Sequence, residues 1–119
     1  MAAAGLLGTA LAVVVARRVH RVEVTGPSML PSLAPGDRLL VVRGLPVREG
    51  DVVAVRDPRD DDRVLVKRVE AVWPDGSVDA RGDNPGASTD SRDLGPLERR
   101  LVVGRVVWRY WPDARRGWL

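Results

Sequence analysis

The sequence predicts one mainly β domain, and three observations support that fold class. Hydrophobic residues make up 45% and charged residues 29% of the 119 positions, as in a folded globular chain and unlike a disordered one. Six runs rich in valine and leucine alternate with turns marked by glycine and proline, as short strands do. A chain of this length has room for one hydrophobic core.

The first sixteen residues carry no charge and predict an N-terminal apolar helix over residues 1–18. Sixteen helical residues span about 24 Å, which is short of the ~30 Å hydrocarbon core of a bilayer. The apolar stretch is longer if Arg17 and Arg18 snorkel to the interface. We expect a membrane anchor that precedes a separate domain of residues 19–119, although a buried core helix fits the same residues. A cleavable signal peptide is disfavoured because no basic residue precedes the apolar run.

The expected strands follow one another along the chain. They cover residues 20–25, 37–43, 51–56, 63–73, 77–81 and 101–110. Asp60–Asp62 is expected at a solvated hairpin tip, because three consecutive acids without further ligands rarely hold a metal. Residues 82–95 are rich in glycine and polar residues and predict a functional loop. The tail from Trp111 to Leu119 mixes tryptophan with arginine, which suits a lipid interface or simple packing.

A short stretch between the first two strands holds a candidate nucleophile. Ser28 lies between Pro27 and Pro31, two residues after Gly26. Because proline fixes φ and removes a backbone donor, this segment is expected to form a stiff, exposed turn rather than a helix or a central strand. A serine held rigidly in such a turn acts as a nucleophile when a base reaches its hydroxyl.

The composition restricts what that base can be. The chain has no cysteine and one histidine, and among its 19 basic residues Lys67 is the only lysine. Arginine does not lose its proton in proteins, whereas a buried lysine can. Alternation along the strand over 63–73 places Lys67 on the same face as Leu65 and Val69, where desolvation lowers the pKa of a lysine. Lys67 is therefore the candidate general base.

Three stretches resemble the type I signal peptidases, which are serine endopeptidases with a Ser/Lys dyad. They are Gly26-Pro27-Ser28-Met29-Leu30-Pro31-Ser32-Leu33 with Gly36-Asp37, then Val66-Lys67-Arg68-Val69, and then Gly82-Asp83-Asn84-Pro85-Gly86-Ala87-Ser88-Thr89-Asp90-Ser91-Arg92 with Gly95. The short core and the last stretch are most similar to the nickel-type superoxide dismutase maturation proteases. The resemblance implies a catalytic core of antiparallel sheets, partly barrel-like, over residues 19–119. It implies no cofactor and no metal.

The resemblance also implies a role for each matching residue. Ser28 is the nucleophile, and its N–H is one oxyanion donor. Lys67 is the general base, and the hydroxyl of Ser88 orients its amine. Asp90 and Arg92 form an ion pair that supports the loop beside the dyad.

Substrate recognition is expected to use backbone pairing. An extended peptide would lie as a strand alongside residues 22–26 and 64–67, and the family accepts small side chains before the cut. The expected substrate-binding residues are Gly26, Pro27, Met29, Leu65 and Val66, with Leu30 as a further pocket wall. Some relatives have an oxyanion-binding hydroxyl two residues before the nucleophile, but this chain has Gly26 there, so its second donor must lie elsewhere.

These residues predict a serine endopeptidase that removes an N-terminal leader or propeptide from a precursor protein, which the narrower resemblance identifies as a nickel-type superoxide dismutase. The alternatives are a general signal peptidase for secreted proteins and a non-catalytic, membrane-tethered β module that binds peptides. The expected partners are a precursor with small residues before the cleavage site, and membrane lipid through the N-terminal segment. Nucleic acid is not expected, because acidic residues are interleaved with the basic ones and the net charge is only +3.

The side of the membrane that the domain faces stays open. Arg17, Arg18 and Arg21 follow the apolar segment, and the positive-inside rule places such charges in the cytoplasm. The resemblance to type I signal peptidases implies the opposite side.

Overall fold

The computed structural model describes residues 17–119, and these form one antiparallel sheet of seven strands. The strands are β1 (Val19–Glu23), β2 (Arg38–Val42), β3 (Val52–Asp57), β4 (Asp60–Val72), β5 (Val78–Arg81), β6 (Val102–Trp111) and β7 (Gly117–Trp118). The other elements are one short helix, α1 (Ser91–Leu94), and 3-10 turns at Pro85–Ala87, Arg99–Leu101 and Asp113–Arg115. The prediction of a mainly β fold is confirmed.

The strands follow the spatial order β1-β2-β6-β3-β4-β5, with β7 beside β6. Among the described residues this path does not close, so the sheet is open where a partly barrel-like one was expected. Strand β1 forms one edge. Strand β5 pairs with β4 only from Arg68 to Val72, which leaves the outer edge of β4 before Arg68 without a strand partner in residues 17–119.

The hydrophobic core lies on both faces of the sheet, and β3 contributes to each. Val52 and Ala54 belong to the cluster that also holds Met29 and Leu33, while alternate residues of β3 belong to a second cluster with Leu65. The centre of β3 is therefore a continuous apolar run rather than an alternating one. This buried strand gives β4, its neighbour, a rigid support.

Six strands lie where the sequence predicts them, with ends that differ by a few residues. The predicted hairpin tip at Asp60–Asp62 is wrong, because the turn is formed by Pro58 and Arg59 and these three acids begin β4. The Asp57 carboxylate closes this tighter turn by accepting hydrogen bonds from the backbone and the guanidinium of Arg59. Strand β7 was not predicted.

The predicted N-terminal apolar helix falls mainly on residues 1–16, which lie outside the described residues. Within residues 17–119, no helix has the length and apolar character needed to cross a membrane.

Candidate active site

The turn that carries Ser28 is closed at its base and anchored by its own side chains. The Val24 N–H donates to the carbonyl of Asp37 at 2.8 Å, and the Gly36 N–H donates to the carbonyl of Val24 at 2.7 Å. Met29 is fully buried in the core, whereas Ser28 beside it is only half-buried. The turn is thus held from inside the protein while Ser28 faces a cavity.

The loop after β5 forms hydrogen bonds with both this turn and β4. The Asn84 N–H donates to the carbonyl of Ser28 at 2.8 Å, and the Asn84 side-chain amide donates to the carbonyl of Pro27 at 3.1 Å. The Asp83 carboxylate accepts two hydrogen bonds from the Arg68 guanidinium, at 2.9 and 3.0 Å. Arg68 follows Lys67 in β4, so one loop fixes the nucleophile turn relative to the strand that carries the lysine.

Lys67 is buried, with 3% of its surface exposed, and it pairs in register with Val53 of β3. Its Nζ donates to Ser88 Oγ at 2.9 Å. Burial is the main reason that its pKa lies below the ordinary lysine value; the Asp90 carboxylate opposes this shift, and nearby arginines, Arg63 foremost, add to it. The lowered pKa favours the neutral amine that a general base needs.

Asp90 lies fully buried behind Ser88 and is held by several donors. It accepts hydrogen bonds from Ser88 Oγ at 2.5 Å, from the Gly82 N–H at 2.8 Å and from the Arg92 guanidinium. Burial on its own raises the pKa of Asp90, but the hydrogen bonds from Arg92, Ser88 and Gly82 outweigh it and hold this pKa well below its usual range. Asp90 is therefore a carboxylate.

The charge on Asp90 fixes the direction of the neighbouring hydrogen bonds. A carboxylate only accepts, so the single proton of the Ser88 hydroxyl points to Asp90. Ser88 can then only accept from Lys67, as the 2.9 Å contact requires. A neutral Lys67 amine keeps its lone pair free, because the contact with Ser88 uses one of its N–H groups.

Gly82 lies where the two halves of the site meet. A Cβ at this position would lie 2.3 Å from Ser88 Oγ and 2.5 Å from the carbonyl oxygen of Ser28, both far inside contact distance. Any side chain here would push the nucleophile turn away from the hydroxyl that holds Lys67. Glycine is needed at Gly82 for close approach and not for an unusual φ.

A cavity of about 230 Å³ joins the two candidate catalytic residues. Ser28 and Lys67 both line it, and so do the five expected substrate-binding residues, Gly26, Pro27, Met29, Leu65 and Val66. Leu30 is not among the lining residues, whereas Arg59, Arg63, Ala87 and Thr89 line it without having been singled out in the sequence. Arg63 opens the predicted strand over 63–73, but nothing in the strand pattern marks it as facing a cavity.

Two unpaired strand edges border this cavity. Its walls include Glu23 at the end of β1 and the stretch from Arg63 to Lys67 in β4. No described strand pairs with the outer edge of β1, and β5 covers β4 only from Arg68 onward. Free backbone N–H and C=O groups on both sides of a cleft are what an extended peptide needs to add as a strand.

Comparison with known proteins gives consistent matches. The profile of the family described as signal peptidase, peptidase S26, matches residues 1–76. The mitochondrial ATP-independent inner membrane protease subunit 1a of Arabidopsis thaliana is 37% identical, over 83% of this chain and 74% of the relative. The mitochondrial inner membrane protease subunit 1 of Schizosaccharomyces pombe is 30% identical, over 92% of this chain and 90% of the relative. The mitochondrial inner membrane protease subunit 2 of Danio rerio is 32% identical, over 83% of this chain and 68% of the relative.

These relatives span most of the chain, including the stretches that contain Ser28, Lys67 and the loop after β5. They give no support to the narrower resemblance to nickel-type superoxide dismutase maturation proteases, which stays a prediction. The matching profile covers more than half of the 119 residues. The chain therefore belongs to the signal peptidase family, peptidase S26.

Proposed function

We propose that this chain is a serine endopeptidase that removes an N-terminal leader or propeptide from a precursor protein, with Ser28 as nucleophile and Lys67 as general base. One observation carries the proposal. Ser28 and the buried Lys67 line the same cavity, and the amine is held by a hydroxyl that the Asp90 carboxylate orients.

In the first half of the reaction, Ser28 Oγ attacks the carbonyl carbon of the scissile peptide bond. The neutral Lys67 amine takes the hydroxyl proton during this attack and becomes an ammonium. When the C–N bond breaks, Lys67 returns that proton to the leaving amine. The products of this half are the released C-terminal part of the substrate and an ester between Ser28 and the leader.

In the second half, Lys67 takes a proton from water, whose oxygen attacks the ester carbonyl. The C–O bond to Ser28 breaks and the proton returns to Ser28 Oγ, which restores the starting state. The backbone N–H of Ser28 makes no hydrogen bond to any described residue, so it is available to the oxyanion. The second donor is not assigned, since Gly26 offers no hydroxyl at the position where some relatives carry one.

The substrate in this proposal is an extended peptide with small residues before the cut. The unpaired edges of β1 and β4 favour backbone pairing on both sides of it. The relatives are named as inner membrane proteases, and residues 1–16 are uncharged. We therefore include attachment to a membrane through this segment in the proposal, without assigning the side on which the domain lies. A nickel-type superoxide dismutase precursor stays the predicted natural substrate.

The test uses purified full-length protein in detergent and a peptide with alanine at the first and third positions before the cut. Wild type is compared with Ser28→Ala and Lys67→Arg, and with Arg48→Gln as a control on an exposed residue outside the cavity. We expect kcat to fall at least ~10³-fold in the first two variants, because one lacks the nucleophile and the other keeps the charge but has no usable base.

Full activity in Lys67→Arg would disprove the dyad. Binding of the peptide by wild type without cleavage would instead favour the non-catalytic peptide-binding module. Arg48→Gln should cleave like wild type, and a parallel loss in this control would point to damaged folding rather than to chemistry.

A further inference from the structure

A second cavity, of about 250 Å³, lies next to the candidate active site. Val64 lines both cavities, and along β1 the second cavity ends at Val22 where the first begins at Glu23. The two cavities are therefore consecutive along β1, and on β4 they share only Val64. A peptide that lies alongside the outer edge of β1 and reaches Ser28 also passes the second cavity.

The second cavity is lined by basic and apolar residues only. Its lining includes no carboxylate, and its polar side chains are all basic: His20, Arg21, Arg43, Arg56 and Arg100. Of the four arginines, only Arg100 has an ion-pair partner within the described residues, Glu98 at 2.9 Å. We call this site the arginine cavity. All four arginines are exposed, so solvent and salt weaken their mutual repulsion, and an anion placed among them is attracted by several cations at once.

We propose that the arginine cavity is a substrate subsite that binds an aspartate or glutamate side chain of the precursor. This inference rests on the proposed function and names a feature of its substrate. Seven residues separate Arg21 from Ser28, which is at most about 23 Å at roughly 3.3 Å per residue, because β1 ends at Glu23 and Ser28 lies in a turn. An extended substrate covers that length with no more than about seven residues, so the acidic side chain lies about four to seven positions from the scissile bond.

An anionic lipid headgroup is the other ligand with suitable chemistry. The position of the cavity favours the peptide, because the cavity continues the candidate active site along β1 and shares Val64 with it. Arginine binds carboxylates through two parallel hydrogen bonds, which suits an acidic side chain on a strand of fixed direction.

The experiment measures binding separately from cleavage. Fluorescein-labelled peptides carry a single Glu or a single Gln at each of positions four to seven on either side of the cut, and they are titrated with full-length Ser28→Ala protein in detergent. We expect Glu at one of these positions to tighten binding about tenfold over Gln, in line with the strength of charge-assisted hydrogen bonds.

The double variant Arg43→Gln/Arg56→Gln, made in the same Ser28→Ala background, should abolish this preference. Neither arginine has a described ion pair whose loss would unfold the protein.

Arg48→Gln removes one arginine charge outside both cavities and should leave the Glu preference intact. The inference is overturned if Glu and Gln peptides bind equally, or if Arg48→Gln weakens the preference as much as the double variant. It is also overturned if vesicles with anionic phospholipid bind in an Arg43- and Arg56-dependent way while the peptides show no preference. Wild-type cleavage of the Gln peptide tests the proposed function separately: no cleavage together with an intact Glu preference would remove the peptidase and support the subsite as a peptide-binding site.

Discussion

At Lys67, burial and the surrounding charges act on one amine. Burial lowers its pKa, the Asp90 carboxylate raises it, and Arg63 is the foremost of the arginines that lower it. Arg63 is exposed and makes no ion pair in the described chain, so it can be changed without disturbing the hydrogen bonds of Ser88 and Asp90. A change in the charge of Arg63 should therefore shift the pKa of Lys67 without altering the buried hydrogen bonds among Lys67, Ser88 and Asp90.

Arg63→Gln is expected to move the acid limb of the kcat/KM profile to higher pH. The neutral amine is the active form, so activity is lost as pH falls through the pKa of Lys67 in the free enzyme. Removal of the Arg63 cation makes the ammonium more favourable and raises that pKa. A pH–rate series on one peptide measures the shift, with Arg48→Gln as the matched loss of charge. A shift to lower pH, or the same shift in the control, would contradict this account of the base.

Gly82→Ala is expected to lower kcat by about 10²-fold. The new Cβ would overlap both Ser88 Oγ and the carbonyl of Ser28, and a displacement of about 1 Å between reacting groups has an effect of that size. Gly86→Ala is the control, because it lies in the same loop outside the cavity and a Cβ there has no atom within 4 Å. Steady-state kinetics compare the two, and equal kcat values would show that the site tolerates the displacement.

The sequence indicates Ser28 through its prolines and Lys67 through its being the only lysine. It does not indicate Gly82 or Arg63. The role of Gly82 depends on two segments that meet only in the folded protein. The role of Arg63 depends on which edge of β4 stays unpaired. A sequence pattern describes one segment at a time, so it does not predict either role.

Among the elements, the loop after β5 is held by a short helix that the sequence does not predict. Asp90 caps α1 and forms a capping box with Asp93. Ser91 Oγ accepts the Ala80 N–H of β5 at 2.9 Å, deep in the protein. These contacts keep Asp90 and Ser88 in place behind Lys67.

Ser91→Ala is expected to destabilise the protein by about 1–3 kcal/mol, because the buried Ala80 N–H loses its acceptor. Urea unfolding followed by tryptophan fluorescence measures the change. We expect kcat to fall as well, since α1 carries the loop that holds Ser88. An unchanged unfolding midpoint would mean that water or a local shift replaces the lost hydroxyl.

Most strands are predictable because runs of valine carry their own signal. Val52–Asp57 and Val102–Trp111 lie close to the expected ranges. Gly117–Trp118 is different: it pairs with Trp108 and Arg109, and the Trp118 ring packs edge-on against Trp108 with centroids 4.5 Å apart. A strand of two residues shows no alternation in the sequence, so β7 can be recognised only from its pairing with β6.

Across the whole molecule, the C-terminal tail is tied to the turn that carries the nucleophile. Asp37, fully buried at the end of that turn, pairs with Arg109 at 3.2 Å and with Arg115. The Arg109 guanidinium also donates to the carbonyl of Ser32 at 3.0 Å. The C-terminal segment therefore stabilises the turn that carries Ser28.

Asp37→Ala is expected to lower the free energy of unfolding by about 3–5 kcal/mol, because it leaves the guanidinium of Arg109 largely buried without its carboxylate. Denaturant unfolding measures the loss, and limited proteolysis should cut the tail after Pro112 earlier than in wild type. Arg116→Ala breaks only the exposed pair with Asp113 and should change stability by less than ~1 kcal/mol. Equal losses of stability in the two variants would show that the buried ion pair contributes no more to stability than the exposed one.

The burial of Met29 has a consequence for how the protein ages. Met29 directly follows Ser28 in the chain, and although it borders the candidate active-site cavity it has no exposed surface, so peroxide reaches its thioether only when the turn moves out of the core. The sulfoxide that forms is too polar to repack, and the turn would then stay displaced. Oxidative inactivation would thus proceed at the rate of turn opening, and a tightly closed turn would protect the serine by protecting its neighbour.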